Sequence, residues 1–167
     1  CTSASTSASR SSGSNSQPVS PSSTIRAGPS DAAAFTVRHY YLNQAAGVER
    51  LFWYSSVTSS FPLLCRDSSP RLAALAVASA AAQLDGFAYW RRVDLGLSRL
   101  HLHLWRRDQE VKGVLWYADR GTKTVRFPPL AAGAAVDIWG NPVALPDGPL
   151  ALEAGRDPLT LAAPAAF

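Results

Sequence analysis

The hydrophobic period of this sequence changes near Gly86, and this change constrains the fold more than any other feature. Before Gly86, apolar residues recur with the helical period of about 3.6, apart from one short and mostly apolar run at 50–55. After it, apolar residues alternate with a period of 2, as Leu100, Leu102 and Leu104 do. The sequence therefore predicts an α/β segment followed by a mostly β module.

The first segment has the order helix, strand, loop, helix. Ser30 and Asp31 are typical of a helix start, and Gly47 is typical of a helix end. One helical stripe carries the apolar residues Ala34, Val37, Tyr41 and Ala45. The run at 50–55 predicts a parallel strand covered on both faces. A second helix is predicted to begin at Ser69-Pro70, with a buried face formed by Leu72, Leu75, Ala76 and Leu84.

The second segment, 86–162, is predicted to be an antiparallel β-sandwich that is stable by itself. Turn residues punctuate it every 8 to 12 positions or so, the spacing of sandwiches and small barrels. These turns are Asp119-Arg120-Gly121, Gly140-Asn141-Pro142 and Asp147-Gly148.

The first 30 residues differ in composition from the rest of the chain. Fifteen of residues 1–30 are Ser or Thr, which predicts a disordered or loop segment. The predicted organisation is thus a disordered or loop segment at 1–30, an α-β-α portion at 31–85, the sandwich at 86–162, and a tail at 163–167.

Cys1 and Cys65 are predicted either to pair or to remain two free thiols. A Cys1 followed by a Ser-rich stretch also resembles a lipid-tethered protein, so that alternative stays open.

The net charge of +4 comes from arginines, several of them on predicted strands. Without a recognition helix or a repeated basic–aromatic pattern, the charge favours a solvated sheet face over a nucleic-acid surface. No apolar run approaches the ~18 residues of a membrane span.

Several short motifs resemble the C-terminal part of a clan A glycoside hydrolase, in the style of β-xylosidases, endoglucanases and glucosylceramidase-like enzymes. The first part of the resemblance, to the end of a TIM barrel, is carried by residues 37–42 (VRHYYL) and 47–54 (GVERLFWY). The second part, to the C-terminal β-sandwich of such enzymes, is carried by 114–117 (VLWY), 136–141 (VDIWGN) and 158–161 (PLTL).

The resemblance implies a position for each element of the first segment. Residues 31–46 would be the seventh barrel helix, 50–55 the eighth strand and 70–84 the eighth helix. Residues 1–30 would be the loop after the seventh strand. The nucleophilic glutamate of this clan would then precede Cys1, and the acid/base glutamate would lie further upstream.

The carboxylates of the chain agree with that placement. A retaining glycosidase needs two carboxyl groups about 5 to 5.5 Å apart. The three glutamates are Glu49, at the start of the predicted strand, and Glu110 and Glu153, at predicted sandwich edges or turns. Asp67 lies in the loop after the predicted eighth strand and has no predicted partner. We expect no catalytic residue in this chain, and neither a metal nor another cofactor.

Trp53 is the strongest predicted contact for a carbohydrate substrate. It lies near the end of the predicted eighth strand, where such barrels place a tryptophan beneath a sugar ring; a core tryptophan is the alternative. Tyr54 and Ser55 are weaker substrate-binding candidates, because alternation along a strand turns Tyr54 away from Trp53.

Histidines and tryptophans of the β module also allow other interpretations. His101 and His103, at i and i+2 on one strand, suit a zinc ion, but no third ligand is well placed, so a polar sandwich face is predicted. Three tryptophans are predicted to be sandwich core rather than a sugar-stacking platform: Trp105, Trp116 and Trp139.

These observations predict a C-terminal fragment of a retaining glycoside hydrolase, inactive alone and derived from a secreted or envelope-associated parent. The alternative is a non-catalytic module that binds carbohydrate or a partner, with a lipid tether at Cys1. Because residues 50–55 would lack neighbouring strands, we also expect self-association. Removing 1–84 is expected to leave a more soluble remainder, unless the sandwich also depends on the missing barrel.

Overall fold

The computed structural model describes residues 29–53, 57, 62–127, 134–145 and 151–164. Two helices and eight strands lie in these ranges, so the chain is mostly β, as predicted. The helices are α1 (Pro29–Ala45) and α2 (Leu72–Gln83). The strands are β1 (Ala88–Val93), β2 (Leu100–Arg107), β3 (Glu110–Tyr117), β4 (Lys123–Arg126), β5 (Ala134–Val136), β6 (Pro142–Val143), β7 (Ala151–Ala154) and β8 (Leu159–Pro164).

All strand pairs among the described residues are antiparallel. Six strands form one sheet in the order β1-β2-β3-β8-β5-β6, and β4 pairs with β7 in a second sheet. The β2–β3 hairpin is regular from the pair Arg107–Glu110 to the pair Leu100–Tyr117. The period-2 pattern after Gly86 therefore predicted the strands at 100–104 and 114–117 correctly.

The six-stranded sheet buries both of its faces. On one face, Leu102 and Leu104 of β2 and Leu115 of β3 share a core with Val125 and Leu152 of the second sheet. The opposite face is covered by the helices, through a core formed by Ala33, Val37, Tyr41, Ala76, Ala80, Leu84, Trp105, Val114, Trp116 and Ile138. Because successive side chains of a strand point to opposite faces, β2 and β3 contribute to both cores.

Gly113 of β3 permits the close packing of the first core. A Cβ atom there would lie 3.3 Å from both Leu102 Cδ1 and Leu104 Cδ2. Those leucines fill the space above the glycine, so the missing side chain is part of the packing of this face.

Helix α1 ends as the sequence predicts. Gly47 has φ of 78°, its N–H donates to the Gln44 carbonyl, and the Val48 N–H donates to the Asn43 carbonyl. These two bonds form a Schellman motif, which requires a left-handed residue and therefore favours glycine. Of the predicted stripe of α1, Ala34, Val37 and Tyr41 are buried, and Ala45 is half-buried.

The second helix differs from the prediction. It begins at Leu72, after Arg71, because Pro70 forms a bridge with Leu64 instead of starting the helix. Leu72 and Leu75 are 45% and 50% exposed, and the buried face is formed by Ala73, Ala76, Ala80 and Leu84. A helix this rich in alanine leaves the apolar period ambiguous. In the folded chain, Ala76 and Ala80 share a core with Ala33 of α1.

The predicted strand at 50–55 is wrong over its described part. Residues 50–53 have no strand structure, and Tyr54 and Ser55 lie outside the described residues. A strand needs a neighbour to accept and donate its backbone hydrogen bonds, and the strand pairs among the described residues do not include this segment.

The β module is not self-contained in this structure. The helix layer buries Trp105, Val114 and Trp116, which removal of the helices would expose. Removal of residues 1–84 would therefore uncover apolar side chains of the sheet, which is the condition under which no gain in solubility was expected.

Two further findings concern the rest of the chain. Cys65 is disulfide-bonded, and Cys1 lies outside the described residues, as does almost all of the predicted Ser/Thr-rich segment. Neither described helix is both long enough and apolar enough to cross a membrane.

Candidate functional site

Trp53 lies against the exposed side of helix α1. Its ring meets that of His39 edge-on, with centroids 5.8 Å apart. His39 in turn stacks on Phe35, one helical turn earlier, at 6.3 Å and 5°. Asn43 holds the histidine in place, because its Nδ2 donates to the His39 carbonyl at 2.7 Å and lies 3.2 Å from His39 Nε2. The three rings form an aromatic row along α1, with Trp53 half-buried at its end.

A groove of about 240 Å³ adjoins this row, between α1 and one end of the six-stranded sheet. We call it the α1 groove. Its lining residues are Phe35, Arg38, His39 and Leu42 from α1, and His101, Trp116 and Ala118 from the sheet. The predicted substrate residue Trp53 packs on one wall of the groove through His39, whereas Tyr54 and Ser55 lie outside the described residues.

Three parallel rings form the sheet side of the site. His101 stacks on Trp116 at 4.9 Å and 3°, and His103 stacks on Trp116 at 5.1 Å and 4°. Trp116 is 1% exposed, as predicted for a core tryptophan. His103 is 5% exposed and His101 is half-buried, so the predicted polar sandwich face is wrong for His103. The helix layer covers this face, and the stacked rings provide apolar area that suits it.

Burial keeps these imidazoles neutral. Desolvation, then the charges of His101 and Arg92, lowers the pKa of His103 from 6.5 to about 4. Desolvation, followed by Arg92 and Arg38, also lowers the pKa of His101. His103 Nδ1 lies 3.4 Å from the Tyr89 hydroxyl. Among the described residues, His103 Nε2 and His101 Nδ1 are buried without a hydrogen-bond partner.

A metal centre is not assembled here. Within the described ranges, no three His, Cys, Asp or Glu side chains come together in a way that could hold a metal ion. The rings of His101 and His103 lie parallel, 7° apart, with centroids separated by 6.0 Å.

Carboxylates are distributed over the surface. Glu49, Glu110 and Glu153 are all exposed, and Glu110 pairs with Arg107 at 2.7 Å. Asp67 is also exposed; it accepts hydrogen bonds from the Ser69 hydroxyl and backbone N–H, which lower its pKa. The Asp67 carboxylate therefore stabilises a local turn, which is a structural role.

Of the three tryptophans predicted to be core, Trp105 and Trp116 are buried and Trp139 is half-buried. Trp105 is 1% exposed and packs on Tyr41 at 5.5 Å and on Tyr89 at 5.4 Å. Trp139 is half-buried in the β5–β6 turn, where its backbone N–H donates to the Asp137 carboxylate. Asp137 also accepts from the Asn141 backbone and side chain, so much of the motif at 136–141 builds a turn.

Sequence reasoning missed the α1 groove. Its two sides are far apart in the sequence, and only packing brings Arg38 beside His101. One signal was present: Phe35, His39 and Leu42 recur at helical spacing on the face opposite the buried stripe, which marks an exposed apolar surface.

No protein-family model matches the sequence, and no curated protein matches it. Among solved structures, the chain is similar to a family 39 glycoside hydrolase from the gut symbiont Bacteroides cellulosilyticus WH2, with a TM-score of 0.65 and 22% identity. That similarity covers 78% of this chain and 30% of the hydrolase.

Two family 30 enzymes are also similar. One is an endoxylanase from Clostridium papyrosolvens C71, with a TM-score of 0.54, 10% identity, and coverage of 80% of this chain and 38% of that one. The other is a subfamily 8 xylanase from Clostridium acetobutylicum, with a TM-score of 0.53, 11% identity, and coverage of 80% and 39%. The chain thus spans less than two fifths of each of these three structures. It has the fold of a part of the clan A glycoside hydrolases, as the resemblance of its motifs implied.

Proposed function

We propose that this chain is the C-terminal part of a retaining glycoside hydrolase that acts on O-glycosidic bonds. The observation that carries the proposal is the shared fold over 78% of this chain but only 30% of the family 39 hydrolase. In this proposal, α1 and α2 are the last two helices of a TIM barrel, and the strands are the C-terminal sandwich.

The layering of the strands supports the sandwich assignment. Val125 of β4 and Leu152 of β7 belong to the same core as Leu104 and Leu115 of the six-stranded sheet. Two sheets that bury a common apolar layer satisfy the packing of a sandwich, although the second sheet has only two strands in the described ranges.

The chemistry of the chain supports a fragment rather than a complete enzyme. A retaining glycosidase forms a covalent intermediate on one carboxylate and protonates the leaving group with a second, without a cofactor. The three glutamates Glu49, Glu110 and Glu153 are all exposed, and Glu110 is paired with Arg107. The proposed parent therefore supplies both catalytic glutamates.

Trp53 is the proposed contribution of this chain to substrate binding. The proposal places the sugar ring against the indole, which meets the His39 ring edge-on beside the α1 groove. Tyr54 and Ser55, which follow it directly, are proposed to line the same subsite.

The test is to express the longest coding sequence that contains this chain and to assay aryl glycosides. We expect turnover with retention of configuration, and a loss of about 10- to 100-fold in kcat/KM for Trp53→Ala, from the apolar area that the indole would bury. Trp90→Ala, on exposed β1, is the matched control and should leave kcat/KM unchanged.

Two results would contradict the proposal. One is an upstream sequence without a glutamate at the end of a predicted strand. The other is an upstream signal peptide with a lipobox immediately before Cys1, which would favour the alternative of a tethered carbohydrate- or partner-binding module.

A further inference from the structure

Strand β1 forms an edge of the six-stranded sheet, and a tryptophan with two arginines lies exposed there. The register with β2 shifts between Tyr89 and Arg91, so Trp90 is the extra residue of a β-bulge. Trp90 is 38% exposed, and the guanidinium carbons of Arg91 and Arg106 lie 4.3 and 5.8 Å from its ring centroid. We call Trp90, Arg91 and Arg106 the β1 patch.

The pairing of the strands places the two arginines of the β1 patch on one face of the sheet. Arg91 is opposite Leu104, and Leu104 and Arg106 are two positions apart on β2, so all three share a face. Leu104 is buried in the core shared with the second sheet, whereas Arg91 and Arg106 are exposed. The two positive charges therefore meet at the border of that core, on the same indole.

The positive charge of the β1 patch is not balanced by a carboxylate among the described residues. Neither Arg91 nor Arg106 forms an ion pair with a described residue, whereas three other arginines do. Arg106 Nε donates to Asp108, but to its backbone carbonyl rather than to its carboxylate. Two like charges held on one ring repel each other, and a bound anion would offset that repulsion.

Contact with the indole prepares a guanidinium to bind a carboxylate. A guanidinium packs on an aromatic ring through its planar face, so the N–H donors along its edges stay available. Arg91, at 4.3 Å from the ring centroid, is placed for this contact. The ring also restricts the arginine side chain, which reduces the entropy lost when an anion binds. The free donors match the two oxygens of a carboxylate and form short, charge-assisted hydrogen bonds with them.

Protection of the sheet edge explains only part of the β1 patch. Charged residues and bulges on an edge strand prevent pairing with another chain, and β1 has both. That role requires neither an exposed tryptophan nor an arginine on β2, which lies inside the sheet. Trp90 and Arg106 therefore indicate a role beyond edge protection.

We propose that the β1 patch binds a polysaccharide that carries carboxylate groups, with a carboxylate on Arg91 and Arg106 and the sugar beside Trp90. The charge selects an anion, and the exposed indole adds apolar area. Trp90 is the only exposed aromatic residue on the described strands, whereas single-stranded nucleic acids stack their bases on successive rings. The choice of a polysaccharide among polyanions rests on the proposed function.

The experiment is isothermal titration of the full chain with oligomers of polygalacturonate. We expect saturable binding that weakens as salt is added, because interactions between exposed charges are screened. The matched ligand is the same oligomer with its carboxyl groups methyl-esterified, which keeps the sugar rings and removes the charge. This ligand should not bind, and oligo(dT) should bind more weakly than polygalacturonate.

Arg91→Gln and Arg106→Gln test the two arginines, and Arg120→Gln is their control. Loss of an exposed charge pair predicts affinity about 3- to 5-fold weaker in either of the first two variants. Arg120 is exposed in the turn after β3, at the far end of the β2–β3 hairpin from Arg106, so its variant should bind as the native chain does.

Trp90→Leu tests whether the indole positions the arginines. The charge of the β1 patch is unchanged in this variant, so the salt dependence of binding should stay as in the native chain. The affinity should fall about 2- to 5-fold, because the guanidiniums lose the ring that orients them. Aryl glycosides carry no carboxylate, so the turnover expected of these substrates does not involve the β1 patch.

Equal binding of the esterified oligomer, equal or tighter binding of oligo(dT), or native affinity in both Arg91→Gln and Arg106→Gln would each overturn the proposal. Absence of saturable binding to the native chain would overturn it as well. All of these results leave the hydrolase proposal standing, because that proposal is tested by turnover and by the upstream sequence. If the variants fail to fold, the comparison of the acidic and esterified oligomers on the native chain decides the question alone.

Discussion

Acidification should destabilise this protein through His103. The side chain is 5% exposed, stacks on Trp116, and has its pKa lowered from 6.5 to about 4. The unfolded chain therefore binds a proton at His103 at a higher pH than the folded chain does. Stability rises with pH wherever the unfolded state binds more protons, so it must fall as the pH drops from 6.5 towards 4.

The size of the effect follows from the two pKa values. Linkage gives a loss of about 2 kcal/mol at pH 5 and about 3 kcal/mol at pH 4, relative to pH 8. Such losses are a large part of the 5 to 15 kcal/mol or so that stabilises an ordinary domain. The charged groups that act on His103 are Arg92 on β1 and His101 beside it on β2, while the Tyr89 hydroxyl approaches its Nδ1. Burial is the largest cause, so the direction does not depend on those neighbours.

The assay is urea unfolding, followed by tryptophan fluorescence at several pH values between 4 and 8. His103→Phe keeps a ring on Trp116 but cannot titrate, and it should remove most of the pH dependence in that window. An unchanged slope in His103→Phe, or a pKa near 6.5 measured for His103 by NMR, would refute the reasoning.

Three other predictions follow from the described surfaces. The chain alone should not hydrolyse aryl glycosides above background, since an isolated exposed carboxylate cannot act as an acid and a nucleophile; turnover abolished by Asp67→Asn would contradict this. Phe52, 83% exposed, should promote self-association, so light scattering should decrease in Phe52→Ser but not in the control Leu97→Ser. Truncation of residues 1–84 should give a protein that aggregates, because it uncovers the helix side of the sheet; a monodisperse, cooperatively melting remainder would show that the strands fold independently.

The local patterns of the sequence were sufficient for the strands of the main sheet and for the end of α1. Alternation of Leu100, Leu102 and Leu104 places one apolar face on β2 whatever lies opposite, because side chains in a strand have a fixed period. Gly47 ends its helix because the left-handed conformation there excludes most other residues.

Sequence segments without a clear hydrophobic period gave wrong predictions of structure. Alanines allow several helix faces to be buried, and in the folded chain Ala76 and Ala80 share a core with α1 while Leu72 and Leu75 are exposed. The run at 50–55 has the composition of a buried strand, but a strand forms only where another strand pairs with it, and the strand pairs among the described residues do not include 50–53.

The candidate sites divide in the same way. Trp53 was identified from the sequence as an aromatic residue near the end of a predicted strand, and the structure places it against His39. The burial of His103 and the meeting of Arg38 with His101 were decided only by the tertiary structure. Sequence determines which side chains share a face of one element, because that depends on the local backbone period. Which second element covers that face, and hence whether an imidazole is solvated or buried neutral, depends on contacts between residues far apart in the chain.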